Sequence, residues 1–390
     1  MLRTKSILTV LILLFVIASE MASWPILRLW NLYANRGFID LHSPLRHIEC
    51  FAQGSDIEIL RQNDGPCGGY WYGTTFIYLG KFLHLSANGK YFVVAAILIP
   101  LTYFLVSYSQ RVYLKLDLTG RILLIASVFS PPLILLFQRG NLDALIVLML
   151  LVGIKLIEGS QKSVLVGWLV FLLATLFKFW SLPALFVGLL WIKNQVWKFV
   201  AFLVAVFVTF IVFREHQSVD FGKAFPSNEN VFGARFLSLD LNSTVSYSLN
   251  PQISLIIDIL VFFIILIISL LLIKNVSKRG LMNDLKQSLD GDKKVWILGS
   301  CFIFCYFASS NVDYRLTPLL ILVLSVTSKM GSLQNSNLCL LLISTTMWLT
   351  YPSGKLQLFG DFFAGLFSCL LLIYFLSQAK TIVRRRFSLV

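Results

Sequence analysis

The sequence predicts an all-α, polytopic transmembrane helical bundle of about 12 spans, with 10–13 as the bounds. Three observations predict it. Of 390 residues, 57% are hydrophobic and only 13% charged, which is more apolar surface than one soluble core can hide. Apolar runs close to the ~20 residues that cross a bilayer recur from end to end. Lysine and arginine gather in alternate short connections, the asymmetry that orients membrane proteins.

In chain order the runs lie at 7–25, 91–109, 121–137, 142–157, 163–177, 181–192, 198–213, 253–273, 295–309, 316–328, 337–351 and 358–377. The fifth, sixth and tenth are short. Residues 1–25 read as a span rather than a cleaved leader, because the run is long and no A-x-A pattern follows. An even number of spans puts both termini on one side. If that side is the cytoplasm, it takes 20 of the 33 basic residues and 5 of the 19 acids, a net +15, and leaves −1 outside. The opposite orientation inverts the bias. The expectation is a plasma (inner) membrane protein with both termini cytoplasmic. The overall +14 then lies in turns beside spans, where it meets anionic lipid headgroups and not nucleic acid.

Residues 1–390 read as one integral membrane domain, with outer loops at 26–90 and 214–252 and a cytoplasmic loop at 274–294. Within the first loop, Tyr70 to Leu85 reads as a short interfacial helix. Cys50 and Cys67 share this loop, where an oxidising compartment would allow a disulfide. Cys301, Cys305, Cys339 and Cys369 lie inside runs and read as packing residues. No P-loop, GxGxxG, HExxH or CxxC pair occurs, and no cofactor is expected.

Polar groups at membrane depth are costly, and those retained tend to face cavities. Glu20, Arg139, Asn141, Asp143, Lys178, Asp258, Asp313, Arg315 and Asp361 all project to the outer ends or outer halves of their runs. The hexapeptide Gln138-Arg139-Gly140-Asn141-Leu142-Asp143 is wedged between two runs with almost no room for a loop. Arg139, Lys178 and Arg315 are candidates to bind a lipid phosphate. Asp40, in the first outer loop, is the candidate general base and Asp56 the second choice. Plainer roles stay open: Asn141 and Asp143 suit a helix start, Lys178 could snorkel to headgroups, and Asp313 could simply pair with Arg315. Capping leaves Arg139 unexplained. His42 and His47, near Asp40 and Glu49, could hold a metal, although lone loop histidines are usually solvated, and no metal is expected.

These residues resemble motifs of the GT-C superfamily of polytopic glycosyltransferases, within it glycosyltransferase family 87, the polyprenyl-phosphate-mannose-dependent mannosyltransferase type (DUF2029). Asp40 followed by Gly54-Ser55-Asp56 resembles that family's first-loop aspartate and its G-x-D-like turn. Gln138-Arg139-Gly140-Asn141 is similar to G-Q-x-N, Lys178 to Pro183 to K-x-x-x-P, and Tyr314-Arg315 to a late aromatic-Arg pair. The family's usual Tyr-Pro-Pro segment is replaced by Tyr72-Gly73-Thr74. The resemblance implies a GT-C-like fold and a hexosyltransferase of cell-envelope biosynthesis. Its donor would be a polyprenyl-phosphate-linked, mannose-like sugar, and its acceptor the hydroxyl of a glycan or glycolipid on the exoplasmic side. Asp40 or Asp56 would be catalytic, with inversion. Arg139, Asn141, Asp143, Lys178, Asp313, Tyr314 and Arg315 would surround the donor phosphate or substrate. Two rivals remain: an envelope polysaccharide polymerase or ligase, which predicts a dominant late loop, and a transporter or flippase, which predicts midplane charges and paired repeats.

Overall fold

A computed structural model describes residues 39–57, 60, 67, 73–217, 231–232, 260, 263–271, 288–289, 292–308, 311–312, 316–350 and 355–387. Apart from one two-residue antiparallel pairing, Val231–Phe232 (β1) with Asn311–Val312 (β2), the regular elements described are helical. Three of the helices are long and apolar enough to cross a membrane: Lys90–Tyr113, Gln195–Glu215 and Phe359–Leu376. The expected run at 7–25 lies outside the described residues.

The chain divides into two compact units. The first holds the described residues up to Gln110 and from Leu133 to 217. Its helices are α1 (Ile39–Ala52), α2 (Thr74–Phe82), all but the last three residues of α3 (Lys90–Tyr113), all but the first two of α5 (Pro131–Arg139), α6 (Asp143–Ile157), α7 (Gln161–Phe177), α8 (Leu182–Gly188) and α9 (Gln195–Gln217). The second holds α4 (Leu118–Val128), α10 (Lys293–Ala308), α11 (Thr317–Thr327), α12 (Leu333–Leu349) and α13 (Lys355–Phe387).

The run expected at 121–137 is not one helix. It breaks into α4 and α5 at Ser130-Pro131-Pro132 with a bend of 43°, and the two are long and apolar enough to cross a membrane only when taken together. Two consecutive prolines remove two backbone donors and bias the preceding residue away from helix, so the chain stops and restarts there. The run expected at 181–192 is likewise interrupted: 3-10 turns at Phe179–Ser181 and Leu189–Trp191 flank the seven residues of α8.

In the first unit α6 and α7 form an antiparallel hairpin around small residues. Gly153 receives the Phe171 ring, and Gly167 approaches the Gly153 carbonyl and Ile157. Such close backbone approach is how helices associate where the hydrophobic effect between them is weak. α9 buries Ala201, Ala205, Val208 and Val212 and exposes Phe199, Leu203, Phe207 and Phe210. Large side chains outward and small ones inward is the pattern of a helix whose outer face meets hydrocarbon.

α1 and α2 pack on each other and on the end of this hairpin. Gly80 of α2 admits Ile48 of α1, Phe51 meets Tyr78 edge-on at 5.2 Å, and Lys81 lies 4.8 Å from the Phe51 centroid. A disulfide joins Cys50 at the end of α1 to Cys67, with the Cα atoms 6.5 Å apart. The Ala87 N–H donates to Glu49 at 2.8 Å. The start of α2 is then fastened to the membrane-type helices: Gly73 N–H donates to the Phe177 carbonyl at 3.0 Å, and the Thr74 N–H and hydroxyl donate to Glu215 of α9. The first bond satisfies a carbonyl that the end of α7 leaves unpaired, and the second sets a carboxylate at the positive end of α2. Tyr70 to Leu85 thus contains the short helix expected of it, in the form of α2.

In the second unit α11 is buried along its whole length, as suits a helix apolar on every side. Around it, Trp296 of α10 stacks on Phe375 of α13 at 4.7 Å, and the Tyr306 hydroxyl donates to the Asp361 carbonyl at 3.1 Å. Asp117 caps α4 through the Gly120 N–H (2.8 Å) and accepts from Asn337 of α12. Asp292 caps α10 through the Lys294 N–H (2.9 Å) and binds Lys329 Nζ at 2.7 Å. Burial pushes the Asp292 carboxyl up, but the Lys329 hydrogen bond and the nearby Lys294 charge outweigh it and hold the group below its ordinary 3.8. A carboxyl depressed in the fold stabilises fully above its unfolded value and loses that contribution as pH falls through the folded one. Asp292→Asn should therefore cost about 1–2 kcal/mol near neutrality, with the difference from wild type vanishing in acid below the ordinary carboxylate range. Thermal unfolding in nanodiscs across pH measures it.

Candidate functional site

The polar hexapeptide is a helix stop followed at once by a helix start. Gly140 has φ +57°, and the bonds Gly140 N–H to Phe137 and Asn141 N–H to Leu136 close the end of α5 as a Schellman turn, so glycine is needed there. The Asn141 side-chain oxygen accepts the Asp143 N–H at 2.8 Å and its carbonyl accepts the Ala144 N–H at 2.9 Å, which starts α6. The capping role anticipated for Asn141 is present. Asp143 is the first residue of α6.

Capping uses one end of the Asn141 amide and leaves the other for a second task. Its Nδ2 donates to Oδ2 of Asp40 at 2.6 Å. The two bonds fix the amide's orientation, because the oxygen must face an N–H and the nitrogen a carboxylate. Asp40 is half-buried in the first turn of α1, and Pro44 four residues later cannot donate to the Asp40 carbonyl, which loosens the backbone at that turn.

The antiparallel register of α6 and α7 sets the next contact. Lys178 ends α7 in an extended conformation (φ −155°, ψ 121°), and its Nζ lies 2.8 Å from Oδ1 of Asp143. The chain then tightens into the Phe179–Ser181 turn, where the Ser181 hydroxyl donates to the Lys178 carbonyl at 3.0 Å. That turn aims Trp180 back at the same acid, with Nε1 2.7 Å from Oδ1 of Asp143. Asp143 and Trp180 are 0% exposed, Asn141 2% and Lys178 8%. The snorkelling role considered for Lys178 does not describe it.

Four residues singled out from the sequence, Asp40, Asn141, Asp143 and Lys178, therefore form one hydrogen-bonded chain across three separated segments, and Trp180 joins it. Its indole carried no motif of its own. The available signal was a tryptophan two residues after a buried lysine, since a buried indole N–H almost always finds an acceptor. The group holds two carboxylates and one ammonium. Oδ1 of Asp143 stands directly on Nζ, and at an effective dielectric near 20 two charges ~4 Å apart interact by about 4 kcal/mol. An incoming phosphate would gain from Nζ and lose a comparable amount to Asp143.

The other anticipated residues stand apart from this chain or outside the description. Asp56 is exposed in the segment after α1. Arg139 is described by its backbone, as the last residue of α5. Asp258, Asp313, Tyr314 and Arg315 lie outside the described residues, as does Glu20. Asp361 is buried in α13. His47 is buried and its Nδ1 donates to the Ser43 carbonyl at 2.6 Å, so it is not the solvated loop histidine expected. Among the described residues no group of three His, Cys, Asp or Glu side chains could hold a metal ion. Cys301, Cys305 and Cys369 are buried free thiols, as packing cysteines should be. Searches against protein-family models, curated proteins and solved structures return no match to this chain.

Proposed function

We propose that the protein is an integral-membrane glycosyltransferase of GT-C type, resembling family 87, with about 12 spans and both termini in the cytoplasm. It moves a mannose-like hexose from polyprenyl phosphate to an acceptor hydroxyl on the exoplasmic face of the plasma membrane. The observation that carries this reading is the hydrogen bond from Asn141 to Asp40, which joins a first-loop aspartate to the polar junction between two apolar helices. The Cys50–Cys67 disulfide, which starts from the last turn of the helix that carries Asp40, adds support, since disulfides persist in oxidising compartments outside the cytoplasm.

In the mechanism, Asp40 accepts the proton of the acceptor hydroxyl as that oxygen attacks the anomeric carbon. The carbon–oxygen bond to the phosphate breaks on the opposite face, the anomeric configuration inverts, and polyprenyl phosphate leaves with the bonding electron pair. Arg139 and Arg315, with Asp313 and Tyr314 beside the latter, are the proposed donor-phosphate contacts, because developing charge on the leaving group needs fixed cations. The test uses purified full-length protein in nanodiscs with labelled polyprenyl-phosphate sugars and a panel of glycan and glycolipid acceptors. Transfer to an acceptor supports the reading, and failure to consume any lipid-linked sugar overturns it.

A further inference from the structure

Lys178 is one of three cations that motif and position nominate for the donor phosphate, yet it already stands 2.8 Å from a fully buried carboxylate. Asp143 receives Lys178 Nζ and Trp180 Nε1 on one oxygen, Oδ1. Its backbone N–H in turn holds the Asn141 oxygen, and the Asn141 nitrogen holds Asp40. The side-chain bonds of Asp143 and the backbone bond that holds Asn141 thus meet in the first turn of α6. We infer that Lys178 and Trp180 are positioning residues: through the Asp143 carboxylate they seat the first turn of α6, the N–H of that turn holds Asn141, and Asn141 aims the Asp40 carboxylate, so that this cluster serves the acceptor hydroxyl and the donor phosphate is met elsewhere.

The inference rests on the proposed glycosyl transfer for its kinetic consequences, but the pinning itself has a readout independent of turnover. A simple structural lysine would matter for folding alone. A phosphate-binding lysine would matter for donor affinity. A positioning lysine matters for the rate of the step and for the geometry of Asp40. Full-length variants in nanodiscs separate the three: Lys178→Met, Lys178→Arg, Trp180→Phe, and the charge-balanced double variant Asp143→Asn with Lys178→Met. Where Lys178→Met alone removes the ammonium from a fully buried acid and does not fold, the double variant and Trp180→Phe carry the measurement.

Binding of labelled polyprenyl phosphate should stay within about threefold of wild type in the double variant, since no phosphate contact has been removed. Trp180→Phe should lower kcat by about tenfold or more with donor KM unchanged, the usual size for a group acting one step behind the reacting one. Carbodiimide coupling to Asp40 at fixed pH, read by peptide mass spectrometry, should change severalfold in Trp180→Phe and in the double variant, and return toward wild type in Lys178→Arg. Loss of polyprenyl phosphate binding in the double variant, with Asp40 coupling unchanged in Trp180→Phe, would make Lys178 a phosphate ligand and overturn the inference. If the wild-type protein neither binds polyprenyl phosphate nor transfers sugar, the proposed function fails, and Asp40 coupling still decides whether the pinning exists.

Discussion

Asp40→Asn should reduce sugar transfer by about a thousandfold, within the range general-base removal produces, while the protein stays folded and retains the donor. The substitution keeps the shape of the side chain and an oxygen that can accept from Asn141, so the 2.6 Å contact is weakened and not emptied. What it removes is the ability to take a proton. Asp40→Ala, by contrast, also leaves the Asn141 amide without this acceptor and should add a loss of stability of about 1–3 kcal/mol. The pair of variants separates proton transfer from architecture. Single-turnover transfer in nanodiscs, with thermal unfolding measured in parallel, provides both numbers. If Asp40→Asn keeps the full rate, the base is another group and Asp56, exposed after α1, is next to be tested.

Many of the described helices and their approximate limits were legible because a polar group is costly at membrane depth, so apolar runs end where charged residues begin, but three of them are long and apolar enough to cross a membrane where twelve spans were expected. Gln138 to Asp143 was legible as a junction for the same reason, and Gly140 with Asn141 carries the stop and start in its own chemistry. Asp40, Asn141, Asp143 and Lys178 could be nominated by depth and motif alone. Their connection could not. Which acid Lys178 meets depends on the register of α6 against α7, and that register depends on Gly153 accepting the Phe171 ring. The direction of the Trp180 indole depends on a three-residue turn whose geometry no apolar pattern encodes. The break at Ser130 was written in two prolines, but the count of apolar residues across 121–137 concealed it.

The charge reading shows the same division. Positive residues in short turns predict a sidedness, and a polar group's depth predicts that it faces a cavity, but neither tells whether a cation is available to a ligand. Lys178 illustrates it: the residue type and location suit phosphate, and the acid beside it is the one fact that changes its role.

Gly73→Ala should release α2 from the bundle, with a loss of about 2–3 kcal/mol and a large drop in transfer rate, because a side chain there is driven into backbone that cannot step aside. A Cβ at position 73 would overlap the carbonyl oxygen of Leu176, and the carbonyl of Phe177 lies just beyond. Leu176 and Phe177 are the last two residues of α7, and Lys178 follows them directly. Moving Gly73 away breaks its bond to Phe177 and carries off Thr74, whose N–H and hydroxyl are held by Glu215. Moving α7 instead displaces Lys178 from Asp143. Either way the strain reaches the Asp40 chain, through α1 packed on α2 or through Lys178. Glu215→Gln tests the same fastening more gently: it keeps a hydrogen-bond acceptor but removes the charge at the start of α2, which should cost about 0.3–1 kcal/mol. Hydrogen exchange of the α2 amides reports the release directly, and it should rise in Gly73→Ala before any change in the amides of α6. Equal exchange in variant and wild type would mean that α2 is held by its contacts with α1 and the Cys50–Cys67 disulfide, and that the glycine serves only the local turn.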